Sequence, residues 1–251
     1  MTGAAPGIPA ATVVVMRERS DGPPELLMVE RAKGMTFAGG ALVFPGGRVD
    51  PGDHALAALR DGDADDDAHR IAAIRETIEE VGIAIGLDPE PAELAGLRAR
   101  LHAGEPFGAL LHEAGAALAP EALVPFARWL PNFVEHAPRV FDTRFYLALA
   151  PEGAEPVADG GESVHSFWAS ARDVLAMADA GTARIIYPTR RNLERLALFA
   201  SFADAVADAR SHPVRTITPW VEKRADGDYL CIAGDLGYPV TSQPFASAMR
   251  G

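Results

Sequence analysis

The chain is poor in the residues that would mark a secreted scaffold or a partner of polyanions. Its single cysteine, Cys231, leaves no disulfide framework and no cysteine-rich metal site. A small buried side chain is the ordinary role for such a residue. Lys33 and Lys223 are the only lysines, and 23 basic residues face 35 acidic ones, a net charge of −12. That sign disfavours a nucleic acid polymer, which is held by counterion release, but leaves room for a small anion bridged by a divalent cation. No apolar run reaches the roughly 18 to 20 residues that cross a bilayer, so no membrane role is expected. Residues 1 to 16 lack a basic leader region and are interrupted by Pro6, Gly7 and Pro9, which points to a cytoplasmic protein.

What is present suits a globular protein: 251 residues, 48% apolar and 23% charged. No repeat, low-complexity tract or linker divides the chain. One domain over 1–251 is expected, with a core at about 11–210, a helical insertion at about 90–118 and a C-terminal extension at about 211–251. Monomer and homodimer both remain open. Residues 1 to 10 read as a loose terminus, and Thr12 to Met16 as a strand paired with Leu26 to Val29 across a turn. Ala41 to Phe44 reads as a short strand stopped by Pro45, Gly46 and Gly47. Asp61 to Asp67 reads as a solvated loop ahead of a helix at 71–81, and residues 90 to 113 as helical. Val140 to Ala150 reads as a long strand and Ser166 to Trp168 as a short one. Helices are expected from Ser170 to Met177 and from Thr189 to Ala209. Asp226-Gly227 marks a hairpin.

The chemistry concentrates in Arg75-Glu76-Thr77-Ile78-Glu79-Glu80-Val81-Gly82-Ile83. On a helix, Ile71, Ile74, Ile78 and Val81 share one stripe, while Glu76, Glu79 and Glu80, spaced i, i+3 and i+4, share another. Three carboxylates on one face repel one another mildly, and a divalent cation removes the repulsion. Mg²⁺ suits them, since it takes hard oxygen ligands and links carboxylates to phosphates. The same residues could also form a solvated acidic face, with Arg75 in an i,i+4 ion pair to Glu79.

The segment matches the Arg-Glu-U-x-Glu-Glu-x-Gly-U half of the Nudix box, U being a bulky or β-branched apolar residue. Five fixed residues at about one in twenty each make a chance match in such a chain on the order of 10⁻⁴. Upstream, Gly46-Gly47-Arg48-Val49-Asp50-Pro51-Gly52-Asp53 resembles the front half, with aspartates at 50 and 53 where glutamates are usual. Residues 54 to 74 separate front acid from Arg75, 21 residues where the family usually has seven, as in an interrupted-box subgroup. Arg31-Ala32, Gly40 and Phe44-Pro45-Gly46-Gly47 resemble the signature of coenzyme A diphosphatases, with Thr36 in place of a second arginine.

The resemblance implies a Nudix α/β/α sandwich, an α/β fold with a mixed sheet, plus a helical insertion and a C-terminal helix. It implies a Mg²⁺- or Mn²⁺-dependent hydrolase acting on a small-molecule nucleotide derivative at its diphosphate linkage. Coenzyme A or its acyl esters lead, with ADP-ribose, NADH and nucleotide sugars behind. The alternative is a Nudix-fold regulator that binds nucleotide without turnover. Glu76, Glu79, Glu80 and Glu162 are the implied metal ligands. Glu76, Glu80 and Glu162 are candidates to take a proton from water, and Arg75 braces the glutamates, with Asp53 as its partner. Gly46 and Gly47 let backbone approach the phosphates. Arg31 and Arg144 are candidates for the diphosphate oxygens, or else structural ion-pair partners.

Overall fold

The computed structural model describes residues 7–35, 38–88, 93–131 and 140–249. In chain order its elements are β1 (Ile8–Arg17), β2 (Glu25–Arg31), β3 (Ala41–Val43), β4 (Gly46–Arg48), α1 (Pro51–Ala57), α2 (Ala64–Val81), β5 (Leu87–Asp88), α3 (Leu94–His102), α4 (Phe107–Ala114), β6 (Ala117–Leu118), β7 (Val124–Trp129), β8 (Phe141–Leu149), β9 (Ser163–Ser170), α5 (Ala171–Asp179), β10 (Arg184–Ile185), α6 (Tyr187–Leu196), α7 (Phe202–Ser211), β11 (Thr216–Ile217), β12 (Trp220–Arg224), β13 (Gly227–Cys231), β14 (Ser242–Pro244) and α8 (Phe245–Ala248).

The main sheet runs β10-β3-β2-β1-β8-β7-β11, with β4 added to β1 and β9 to β2. It is mixed: β1 runs parallel to β8, β10 to β3 and β11 to β7, and the other pairs are antiparallel. β1 lies between neighbours on both sides and is covered on both faces, which is why it reads as an unbroken apolar run. Alternation sends Val13 and Val15 to one face and Val14 and Met16 to the other. Val13 and Val15 meet Ile71, Ile74, Ile78 and Val81 of α2, all fully buried, together with Leu97 and Leu101 of α3. Val14 and Met16 meet Val174 of α5, Leu193 and Leu196 of α6 and Ala205 of α7. The layers are therefore helix, sheet, helix. Leu230, Ile232, Leu236, Tyr238 and Ala248, from residues 211–249, join the second cluster.

Several sequence expectations change here. Strand β1 starts at Ile8, inside the stretch read as a loose terminus, because β8 and β4 offer it partners. The acidic stretch is largely helix: the Asp63 side chain accepts from the amides of Asp65 and Asp66, and Asp65, Asp66 and Asp67 fill the first turn of α2. The residues that interrupt the box thus form α1, a turn and the leading turns of α2. The helical stretch 90–113 is two helices, broken at Gly104, which has φ +84°, and Pro106; residues 90–92 lie outside the described residues. The stretch 189–209 is likewise α6 and α7, since Ser201 caps a new helix by accepting from the Asp204 amide. Ser170 caps α5 through the Asp173 amide as its position suggests, and β9 extends well beyond Ser166 to Trp168.

Candidate active site

Burial of the isoleucine stripe fixes the rotation of α2 against the sheet, and that rotation decides where its glutamates go. They face a cleft of about 930 Å³, whose walls include Gly46 and Gly47 of β4, Glu76, Glu79 and Glu80 of α2, Arg31 of β2 and Glu162. Strand β4 pairs with β1 through Thr12↔Gly46 and Ala11↔Gly47. Gly46 has φ +156°, and a Cβ there would strike the Ala11 carbonyl; a Cβ on Gly47 would strike the Glu76 carboxylate. The two glycines therefore bring strand backbone directly against the acidic helix.

Arg75 organises the acids. Its Nε and Nη2 donate to the two oxygens of Asp53 at 3.0 and 2.9 Å, a bidentate pair with Asp53 fully buried. Nη1 donates to Glu76 Oε1 at 2.8 Å and lies 3.4 Å from Glu79, and Nη2 also reaches the Arg48 carbonyl. Asp53 in turn accepts from the Asp50 amide at 2.8 Å, which ties the pair to the start of α1. Glu80 accepts from the Gly46 amide at 3.0 Å.

Charge in the cleft is not balanced. Burial, with Glu76 as a like-charged neighbour, pushes Glu80 up to about 8. Burial pushes Glu76 up to about 7, against the pull of Arg75, and raises Glu79 as well. Burial opposes the charge of Arg75, but Asp53 and the two glutamates hold the guanidinium firmly protonated.

On the opposite wall, Arg31 Nη1 lies 3.7 Å from Glu80 and Nη2 3.8 Å from Glu162. Its Nε is buried with no hydrogen-bond partner among the described residues. Glu162 is exposed at 62% of its side chain. The Asp159 carboxylate accepts from the amides of Gly161, Glu162 and Ser163, and the Glu162 carbonyl accepts from the Ala32 amide. That turn sets Glu162 beside Arg31.

Arg31, Gly46, Gly47, Arg75, Glu76, Glu79, Glu80 and Glu162 thus share one cleft, and Arg144 does not. Alternation along β8 turns Thr143 and Phe145 toward the cleft and Arg144 away, onto Asp65 and Asp66 at the start of α2. Tyr146, on the same face, donates to Asp66 at 2.8 Å. Arg144 is an ion-pair partner there. Thr36 lies outside the described residues. Sequence reasoning missed His102, which lines the cleft and contacts the Glu79 carbonyl, and Met249, which lines it from the C-terminal side.

Among the described residues no ready-made group of three acidic, histidine or cysteine side chains converges on one point. Arg75 draws off Glu76 and Glu79, and the Gly46 amide holds Glu80. The donor set nevertheless fits Mg²⁺ or Mn²⁺: all are hard oxygens, and Mg²⁺ commonly takes only one or two carboxylates and keeps its waters. The raised Glu76 and Glu80 are what buried, crowded acids show.

No protein-family model matches the chain. A NUDIX hydrolase from Alicyclobacillus acidocaldarius shares 29% identity and a TM-score of 0.71, over 82% of this chain and 97% of that one. A MutT NUDIX hydrolase from Burkholderia pseudomallei shares 17% identity at a TM-score of 0.43, over 76% and 98%. The NUDIX domain of Shewanella oneidensis NrtR, complexed with ADP ribose, shares 12% at 0.44, over 76% and 86%. With the first of these and the layered mixed sheet, the fold is that of the Nudix hydrolases.

Proposed function

We propose that the chain is a metal-dependent Nudix hydrolase that cleaves the diphosphate linkage of a nucleoside diphosphate derivative. The observation that carries this reading is the cluster of Glu76, Glu79 and Glu80, crowded against Gly46 and Gly47 with too few cations to neutralise it. Glu76, Glu79 and Glu80 would hold Mg²⁺ or Mn²⁺, with Glu162 as a further ligand from the opposite wall. When bound, the metal would supply positive charge to the diphosphate oxygens and ease loss of a proton from the attacking water.

The chain's own residues do the rest. Arg31, with a buried donor to spare, takes a diphosphate oxygen, and the backbone beside Gly46 and Gly47 admits the phosphates closely. Glu76, Glu80 or Glu162 accepts the water's proton; the exposed Glu162 can pass it to solvent. Arg75, gripped by Asp53, keeps Glu76 and Glu79 from swinging away. The cleft is within the size range of small-molecule sites and has room for more than the diphosphate. Coenzyme A and its acyl esters lead as substrates on the Arg31-Ala32, Gly40 and Phe44-Pro45-Gly46-Gly47 resemblance.

The test is product identification by phosphorus NMR with Mg²⁺ or Mn²⁺ and coenzyme A, acetyl-coenzyme A, ADP-ribose, NADH and UDP-glucose. Metal-dependent cleavage of at least one of them into two products, each carrying a new phosphomonoester, is expected. Binding without cleavage across the panel would overturn the reading in favour of a nucleotide-binding regulator.

A further inference from the structure

The last four carbonyls of any α-helix lack partners within the helix. In α2 they belong to Ile78, Glu79, Glu80 and Val81, so two of the four are on residues that carry the cleft's acids. Their partners differ in kind. The Ile78 carbonyl accepts from the Gly82 amide at 3.0 Å and that of Val81 from the Val157 amide at 2.9 Å. The carbonyls of Glu79 and Glu80 are taken by side chains from α3: Arg98 Nε donates to Glu79 and Nη2 to Glu80, both at 2.9 Å, and His102 Nε2 lies 2.9 Å from the Glu79 carbonyl.

Arg98 and His102 stand four residues apart, on one face of α3. Leu97 and Leu101 sink into the core cluster that holds Ile78 and Val81, and so set that face. Gly82 has φ +66°, and a Cβ there would lie 3.1 Å from Arg98 Nη1. The glycine thus serves both the left-handed helix end and the passage of the arginine.

We infer that the helical insertion is a clamp on the metal-binding turn: Arg98, assisted by His102, fixes the backbone of Glu79 and Glu80 and so positions their carboxylates. This rests on the reading of those acids as metal ligands. Arg98 is a positioning residue: it contacts the helix-end carbonyls and is not among the residues that line the cleft. The clamp reverses the sign expected from electrostatics. On charge alone, removing a cation near an acidic site should tighten binding of a divalent cation. Positioning predicts the reverse.

The experiment is Mn²⁺ titration of the full chain by calorimetry, in wild type and in Arg98→Ala, Arg98→Lys, His102→Ala, Arg100→Ala and Glu80→Gln, with amide hydrogen exchange of the metal-free proteins. Arg98→Ala should weaken Mn²⁺ about tenfold, the scale for losing an outer partner of a metal ligand, and speed exchange in the last turn of α2. Arg98→Lys, which keeps the charge but lacks the fork that spans two carbonyls, should also weaken it, by less. His102→Ala changes an exposed side chain and should weaken it a few-fold, a test that stands even if Arg98→Ala does not fold. Arg100→Ala, which cuts surface pairs to Glu105 and Glu113, should leave Mn²⁺ affinity unchanged. Unchanged or tighter binding in the Arg98 and His102 variants, while Glu80→Gln binds weakly, overturns the clamp alone. If Glu80→Gln also binds as wild type does, the metal-site reading itself fails.

Discussion

Two buried ionic clusters lie on opposite sides of the sheet and follow opposite rules. In α6, Arg191 and Arg195 are 2% and 1% exposed, and each has an acid of its own. Arg195 donates twice to Asp208, at 2.8 and 2.6 Å, and once to the Phe126 carbonyl, with its guanidinium over the Phe126 ring. Arg191 reaches Glu194 and Gln243 at 2.8 Å and the Val240 carbonyl at 3.2 Å, which fastens the C-terminal segment to the core. At the cleft, Asp53, Glu76 and Glu79 surround one guanidinium, Arg75, and the cation nearest Glu80 is Arg31, at 3.7 Å. The first cluster is matched charge for charge, although Arg191 Nε and Glu194 Oε2 have no hydrogen-bond partner among the described residues and burial raises Glu194. The second leaves acids short of cations, and burial, added to by like-charged neighbours, pushes Glu76 up to about 7 and Glu80 up to about 8. A buried cluster that is matched reads as architecture; one left unmatched reads as a site awaiting a ligand.

The sharpest way to break that comparison is to neutralise one member of each cluster. Glu80→Gln should lower turnover by more than the roughly 100-fold that loss of a metal ligand's outer partner can cost, since on the proposed reading it removes a ligand charge itself. Metal-free, at pH 8, it should unfold at the same or a higher temperature than wild type, because a crowded like charge is gone; kinetics and thermal melts check both. Arg195→Ala should do the reverse, costing about 3 kcal/mol of stability by stranding Asp208 while leaving turnover per folded molecule unchanged. A urea titration alongside an activity assay reads the contrast.

The pH dependence differs in the same way. Glu76 and Glu80 carry folded-state values above those of the unfolded chain, so the folded state binds more protons between the two. Their contribution to stability is full below the ordinary carboxylate range and is lost as pH rises through about 7 and 8. Melts of the metal-free protein should therefore decline from pH 5 to pH 8, and Mg²⁺ should restore stability at the upper end. The smallest effect is expected at Arg144→Ala, which removes partly exposed pairs to Asp65 and Asp66: about 1 kcal/mol of stability and no change in KM. A raised KM there would return Arg144 to the substrate.

The unmatched cluster is largely legible in the amino-acid sequence. The period of Ile71, Ile74, Ile78 and Val81 is enough to place Glu76, Glu79 and Glu80 on one face, because burial of one stripe dictates the other. The layered sheet is legible in outline from Thr12 to Met16, Leu26 to Val29 and Val140 to Ala150. The place of Arg144 is not, since alternation says that neighbouring side chains on β8 diverge but not which of them meets the cleft. The break at Ala200 and Ser201 is hidden because apolar spacing continues across it. Arg98 and His102 are invisible for a stronger reason: their partners are backbone carbonyls some twenty residues away, which leave no residue-type pattern.

The most direct test of the unmatched-cluster account is calorimetry of Mn²⁺ binding at pH 7, run in two buffers of different ionisation heat so that proton release is counted. With Glu76 and Glu80 holding protons near neutrality, binding should expel them, giving a heat that changes with the buffer in wild type and much less in Glu80→Gln. Mn²⁺ binding that releases no protons, or no Mn²⁺ binding at all, would contradict the account.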